Sequence, residues 1–320
     1  MKIYRSLEEI GREFGPAALT IGNFDGVHVG HRRILRRVAA LAGERGWKPS
    51  ALTFDPHPAR VVAPERAPRL LATPEERALL MAEEGIEQVA ILRFTPELSR
   101  LEPEEFARDI LAARLGARAV LVGDNFRFGH RHAGDTGTLR SLGARYGFEV
   151  EVVEALPLRG RPVSSSEVRR QVEAGNVARA GRMLTRCYSL AGPVVPGRGI
   201  GSKQTVPTLN LAATAEVLPA RGVYITRTHA PDGRRWPSVT NIGVRPTFGG
   251  DALSIETFLL EPLTGESPVR IRVEFLERLR DERRFDSPAL LKAQILKDVR
   301  RAQTFFRRLE GSVRMIGHRD

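Results

Sequence analysis

The sequence predicts two architectures in tandem: an N-terminal doubly wound parallel α/β sheet, then a small antiparallel β-barrel with a C-terminal helix. Three observations carry this. Short apolar runs alternate with amphipathic helical patterns in the first half. Strand-like runs punctuated by Gly, Pro and Asp follow one another with little helix between them in the second. A single long apolar stripe then closes the chain.

In chain order, "AALTI" (17–21), "SALTF" (50–54), "QVAILRF" (88–94), "RAVLVG" (118–123) and "FEVEVV" (148–153) read as buried strands. The segments between them read as helices. "GHRRILRRVAALAG" follows the first strand. "TPEERALLMAEEG" has Thr73 as cap, Pro74 at the first position and Glu76 completing a capping box. "EPEEFARDILAARLG" is closed by Gly116. Alternation of this kind gives a parallel sheet, whose ligands bind beyond the carboxyl ends of the strands. The second half supplies "YSLAGPVV", "VPTLNLA", "GVYITRT", "WPSVTNIGV", "LSIETFLL" and "VRIRVEFL". A helix from about Ser287 to Leu309 follows, with Leu291, Ile295, Val299, Ala302, Phe306 and Leu309 on one stripe. The change of composition near 183–188 divides the chain into domains 1–185 and 186–320.

Cys187 is the only cysteine of the 320 residues, which excludes an intrachain disulfide or a Cys-based zinc cluster and favours a reducing compartment. No run of about eighteen apolar residues is present. A cytoplasmic protein without membrane contact is expected. The formal charge of +12 points to a polyanion or a small anionic ligand, but acids interleave with the arginines, as in "RLRDERRFD".

In "GNFDGVHVGH", His28 and His31 fall where a strand gives way to a helix, a junction whose free amides attract anions. The residues alone allow a phosphate site, a metal site or a pair of structural histidines. Zinc would need a third ligand, and the zincin spacing is four, not three. Gly30 allows close approach to the backbone. Further on, "VSSSEVRRQVEAGN" opens a helix with a capping box from Ser164 to Glu167 and Arg169 one turn later, a second place to hold phosphates. In the second half, the glycines from Gly197 to Gly201 can wrap a phosphate with backbone amides, and Lys203 adds a charge.

Four motifs in order, "GNFDGVHVGH", "TFDPHP", "VGDNFRFGHRHAGD" and "VSSSEVR", resemble the adenylyltransferase module of bacterial bifunctional riboflavin kinase/FAD synthetases, within the HxGH nucleotidyltransferase superfamily. "GPVVPGRGIGSKQTVPTLNL", "NIGVRPTFGG" and "SIETFLL" resemble the riboflavin kinase module of the same enzymes. The resemblance implies phosphorylation of riboflavin to FMN and adenylylation of FMN to FAD, with ATP and Mg²⁺ in both steps. It implies phosphate or ATP contacts at Gly22, Phe24, Asp25, His28, His31, Asn125, Ser164 and Arg169, with His28 and His31 catalytic. Flavin contacts fall on Phe54, Pro56, Pro58, Phe126 and Phe128. In the kinase module it implies ATP contacts at Gly199, Gly201 and Lys203, magnesium ligands at Thr208 and Asn210, and a general base at Glu256. Riboflavin, FMN and ATP are the expected partners of a monomer or weak homo-oligomer, with no nucleic acid.

Two departures matter. The kinase motif reads "QTVPTLN" where relatives usually read "LGFPTAN", so a single-activity FAD synthetase with a degenerate kinase module is the competing enzymatic expectation. His130 and His132 stand in a segment that is usually basic and glycine-rich, and their roles are open. A basic nucleic-acid-binding protein on the same scaffold is the expectation from another class, and it leaves "PTLN" and Glu256 unused.

Overall fold

The computed structural model describes residues 1–154, 157–158, 161–196, 208–247 and 250–316. It divides into two compact units, Met1–Glu167 and Val168–Asp320.

The first unit is built on six parallel strands, β1 (Lys2–Tyr4), β2 (Ala17–Ile21), β3 (Lys48–Asp55), β4 (Gln88–Arg93), β5 (Ala117–Gly123) and β6 (Glu149–Val153), in the order β1-β4-β3-β2-β5-β6. Five of them coincide with the runs read from sequence. β1 is too short to show a period, and it is added at the edge beside β4. Successive residues of the central strands alternate between two cores. Leu19, Ile21, Leu52, Phe54, Val120 and Val122 join Phe14, Phe106 and Leu111 on one face. Ala18, Ala51, Val89, Ile91 and Leu121 join Leu35, Val38 and Met81 on the other. Both faces are therefore covered, as a parallel sheet requires.

The helices are α1 (Val29–Arg45), α2 (Pro58–Val62), α3 (Pro74–Ala82), α4 (Pro96–Ser99), α5 (Pro103–Glu105), which runs into a π-helical stretch over Phe106–Arg114, and α6 (Thr136–Tyr146). The Thr73/Glu76 capping box opens α3 as the sequence requires. Gly116, at φ 54, lies just beyond the π-helical stretch. A short hairpin, β7 (Pro157–Leu158) with β8 (Arg161–Pro162), precedes α7 (Ser165–Glu173).

In the second unit, α8 (Val177–Leu184) packs on the barrel strands β9 (Tyr188–Val195) and β14 (Arg270–Arg280). With β10 (Thr208–Leu211), β11 (Gly222–His229), β12 (Arg235–Thr247) and β13 (Gly250–Leu259) they close a six-stranded barrel in the order β10-β13-β12-β11-β14-β9. Every pairing is antiparallel. Inside, five fully buried hydroxyls cross three strands. Thr226 meets Ser238 at 2.9 Å and Thr240 at 2.8 Å, Thr228 meets Ser238 at 2.8 Å, and Thr240 meets Thr257 at 3.0 Å. On the outer face Val223, Ile225, Val239 and Leu279 pack against Ala302 and Phe306 of the closing helix α9 (Pro288–Ile316).

A buried ion pair fixes α9 to the barrel. Arg280 on β14 donates from Nε at 2.9 Å and lies 2.8 Å away through Nη2 to Asp298 Oδ2, while Gln294 donates to Oδ1 at 2.8 Å. Removing one member of such a pair leaves a buried charge unmatched. Arg280→Met, which leaves the buried Asp298 carboxylate without its cation, is expected to cost the second unit about 3–5 kcal/mol in denaturant unfolding, with the transition of the first unit unmoved.

Candidate active sites

In the first unit the loops after β2, β3, β4 and β5 converge at the carboxyl ends of these strands on a cavity of about 850 Å³. Its wall carries Gly22, Asn23, Phe24 and His31 from the β2–α1 segment, then Phe54, His57 and Pro58. Asn125, Phe126, Arg127 and Phe128 complete it with the loop 129–132. One part is aromatic: Phe54 meets Phe94 edge to face at 5.4 Å, and Phe126 stacks on Phe128 at 5.6 Å. Among the described residues, no Asp, Glu or Lys lines the cavity.

His28 caps α1. Its Nδ1 accepts the His31 amide at 3.4 Å, which leaves the proton of the neutral ring on Nε2. The two imidazoles stack at 3.7 Å, with His31 on the wall and His28 behind it. A Cβ on Gly30 would stand 3.2 Å from Cε1 of His28, so the glycine makes room for the ring itself. Burial lowers the pKa of His28 to about 4. Burial, then the neighbouring His28, holds His31 well below the ordinary histidine range. Both rings are neutral at pH 7. The buried Nδ1 of His31 has no hydrogen-bond partner among the described residues, and a polar atom in that state is ready for a ligand.

The loop that delivers these histidines is strained. Phe24 and Val27 take φ of 48° and 40°, a region costly for a β-branched side chain. Arg77 of α3, 1 % exposed, braces it from beneath. Its Nη1 donates to Asn23 O at 2.5 Å and Thr53 Oγ1 at 3.2 Å, and its Nη2 to Phe54 O at 3.3 Å. Asp25 accepts the amides of Leu71 at 2.9 Å and Ala72 at 3.3 Å. His57 caps α2 by accepting the Ala59 amide at 3.1 Å, and its Nε2 lies 3.1 Å from the Asn23 amide. Ser165 donates to Asp25 O at 2.9 Å, which sets the start of α7 beside the histidine loop. Ser164 Oγ accepts the Glu167 amide at 3.2 Å.

In the second unit, Asn210 on β10, Glu256 on β13 and Asn241 on β12 are register partners in one row. Glu256 and Asn241 line a cavity of about 220 Å³ together with Phe258, Phe285, Leu291 and Ile295. Thr208 and Asn210 alternate with the buried Leu209 and Leu211, so they share the opposite face of β10. Gly199, Gly201 and Lys203 lie outside the described residues.

Two family models match the chain, FAD synthetase over residues 12–167 and riboflavin kinase over 184–306. The bifunctional riboflavin kinase/FMN adenylyltransferase of Pseudomonas fluorescens is 37 % identical over 95 % of this chain and 97 % of its own. The chain belongs to the bifunctional riboflavin kinase/FMN adenylyltransferase family. The Escherichia coli K12 member is 33 % identical over 96 % of this chain and 98 % of its own. A crystal structure titled macrolide-efflux protein, from Streptococcus pneumoniae, superposes with a TM-score of 0.84 at 24 % identity, covering 94 % of this chain and 98 % of that one. That likeness speaks for the fold alone. As a member of this family the chain is a transferase with riboflavin kinase and FAD synthetase activities.

Of the residues expected in the adenylyltransferase site, the structure gathers Gly22, Phe24, His31, Phe54, Pro58, Asn125, Phe126 and Phe128 on one wall. Asp25 and Pro56 are not on it, and Arg169 lies on α7 beyond the end of the first unit. Sequence reading missed Asn23, Arg77 and Asn241. An arginine within a helical pattern reads as a solvated face, and no local signal marks Arg77 as buried.

The depressed histidines make stability depend on pH. Folded His28 takes up its proton only near pH 4, the unfolded one near 6.5. Between these values the unfolded chain binds more protons, so stability is full above 6.5 and is lost as the pH falls toward 4. His28→Asn keeps a capping side chain and removes the titration. Unfolding of the first unit followed from pH 7 to 4 is expected to show the wild type losing about 3 kcal/mol more than the variant. Parallel curves would mean that burial does not hold His28 neutral.

Proposed function

We propose that the adenylyltransferase domain runs over 1–185 and the kinase domain over 186–320, in a cytoplasmic monomer or weak homo-oligomer that converts riboflavin to FMN and FMN to FAD without a nucleic-acid partner. The single observation that carries the mechanism of the first domain is the neutral, stacked His28/His31 pair at a helix start, beside a cavity that no carboxylate lines among the described residues.

In adenylyl transfer an oxygen of the FMN phosphate attacks the α-phosphorus of ATP, and the bond to pyrophosphate breaks. The nucleophile is already ionised, so the protein has charge to manage and no proton to remove. The imidazole N–H groups of His28 and His31 and the amides opening α1 donate to the α-phosphate oxygens as charge grows there. Asn125 contacts the transferring phosphates, and Ser164 with Arg169 takes the β/γ end. Gly22 and Phe24 shape the nucleotide side. Asp25 acts by fixing the loop through the Leu71 and Ala72 amides. Phe54, Pro58, Phe126 and Phe128 receive the isoalloxazine.

In the kinase domain the carboxylate of Glu256 takes the proton of the riboflavin 5′-hydroxyl, whose oxygen attacks the γ-phosphorus with ADP departing. The hydroxyl of Thr208 and the amide oxygen of Asn210, beside the Glu256 carboxylate in register, form a hard-oxygen donor set that suits Mg²⁺. No group of three His, Cys, Asp or Glu is placed to hold a metal among the described residues, which suits an ion shared with the nucleotide phosphates. Mg²⁺ bound there would neutralise phosphate charge during transfer. Gly199, Gly201 and Lys203 would wrap the same phosphates.

The test is chromatography of riboflavin, FMN and FAD after incubation with ATP and Mg²⁺, started in parallel from riboflavin and from FMN. FAD from both starts is expected. FAD from FMN with riboflavin unchanged would mean a degenerate kinase domain. His28→Ala is expected to abolish FAD formation from FMN and spare FMN formation, and equal loss of both in a folded variant would contradict separate sites. Glu256→Gln is expected to remove most kinase turnover, on the order of 10²–10⁴-fold, with adenylyl transfer intact. An unchanged kinase rate would take Glu256 out of the base role.

A further inference from the structure

The loop 127–132 is the part of the first unit's cavity to which the reaction above assigns least. Three of its residues have left-handed backbone, Gly129 (φ 72°), Arg131 (φ 51°) and His132 (φ 60°). Glycine adopts this readily, whereas arginine and histidine side by side do not. The shape is held from several directions. The His130 amide donates to Leu101 O at 2.8 Å, and its ring Nδ1 lies 3.2 Å from Ser99 O, an acceptor that puts the proton on Nδ1. Phe128 and Gly134 bond in both directions, at 3.1 and 3.0 Å. A Cβ on Gly129 would come within 2.6 Å of Pro103, so only glycine lets the loop press this closely on the start of α5. Strain held in place on a cavity wall invites a functional account.

Charge supplies one. Among the described residues, the only ones on the wall with a fixed positive charge are Arg127 and Arg131. Arg127 pairs with Asp135 at 3.3 Å. Arg131 has no acidic partner among the described residues and is exposed at the rim. The reaction must bring the phosphate dianion of the acceptor against a polyphosphate. His28 and His31 are neutral and belong to the donor side, and Arg127 is already paired, so Arg131 is the guanidinium left to offset the acceptor's charge.

We propose that Arg131 binds the 5′-phosphate of FMN, its guanidinium fork presented by the strained loop and steadied by the His130–Ser99 bond. Arg131 is then the residue by which the adenylyltransferase domain selects phosphorylated flavin over riboflavin, and His130 is a positioning residue. This rests on the adenylyl-transfer reading above. Riboflavin has the same ring system and lacks the phosphate, so the two flavins separate the contribution of Arg131 from that of the aromatic wall.

The experiment is steady-state FAD formation from FMN by the full chain carrying Glu256→Gln, so that the kinase domain does not turn riboflavin into FMN, with riboflavin as a competitive inhibitor against FMN. Arg131→Gln is expected to raise KM for FMN about ten- to a hundredfold, the loss of a charge-assisted bidentate contact. The KM for ATP and the inhibition constant of riboflavin should stay within about twofold. Arg131→Gly, which accepts the left-handed backbone without strain, should show the same pattern, and Arg131→Lys should recover part of the loss. An unchanged KM for FMN in both the Gln and Gly variants would overturn the proposal. So would a parallel rise in KM for FMN and in the riboflavin inhibition constant, since that is the mark of a collapsed loop. Failure of the wild-type chain to make FAD from FMN would remove the adenylyl-transfer reading, and the proposal with it.

Discussion

The adenylyltransferase site depends on one buried cation. Arg77 reaches from α3 under the sheet's carboxyl edge and gives its guanidinium hydrogens to the carbonyls of Asn23 and Phe54 and the hydroxyl of Thr53. A guanidinium this deep cannot shed its charge, and burial works against it, opposed by Asp25 and Asp55. What it obtains in return is geometry. The two loops that meet on it are the one carrying His28 and His31 and the one carrying His57 and Pro58. Without it Phe54 O would lose this donor and Asn23 O would keep only the long bond from the Thr53 hydroxyl at 3.4 Å. The strained backbone of Phe24 and Val27 persists because Arg77, the amides of Leu71 and Ala72 on Asp25, and the packed side chain of Val27 hold it from different sides.

The two catalytic domains solve a shared problem differently. Each must hold phosphate beside a flavin, a polyanion beside a largely apolar ring. The first sets a stacked pair of neutral imidazoles at a helix start, beside a wall that carries no carboxylate among the described residues. The second sets a carboxylate, Glu256, in a row with Asn210 and Asn241. The base role proposed for it answers to an acceptor that is an alcohol, where the first domain's acceptor is already ionised.

Most of the fold was legible because its signals are local. The alternation of strand and helix, the Thr73/Glu76 box and the closely punctuated second half all survive in the structure. β1 was not legible, since three residues carry no period and its place beside β4 is a tertiary fact. The site was legible as motifs and not as a mechanism of support. "GNFDGVHVGH" marks the loop between β2 and α1, yet the spacing does not tell that His28 is the cap behind His31, or that Asp25 faces the amides of Leu71 and Ala72. Arg77 and Asn241 were invisible for the same reason: their roles are fixed by partners far away in the chain. Only a fold brings those partners together.

The hydroxyl chain inside the barrel has a consequence for descent. Thr226, Thr228, Ser238, Thr240 and Thr257 satisfy one another, and in each of their bonds either oxygen can be the donor. Exchanging Thr240 for valine keeps the volume but takes from Thr257 its partner in a dry interior, whereas losing Thr228 or Thr257 at the ends leaves every other hydroxyl bonded. An aliphatic interior is thus reached at least cost from the ends of the chain inward, and a first step at Ser238 or Thr240 passes through a poorer barrel. The polar lining sets an order on the lineage's steps, with the end positions freer to drift than Ser238 and Thr240.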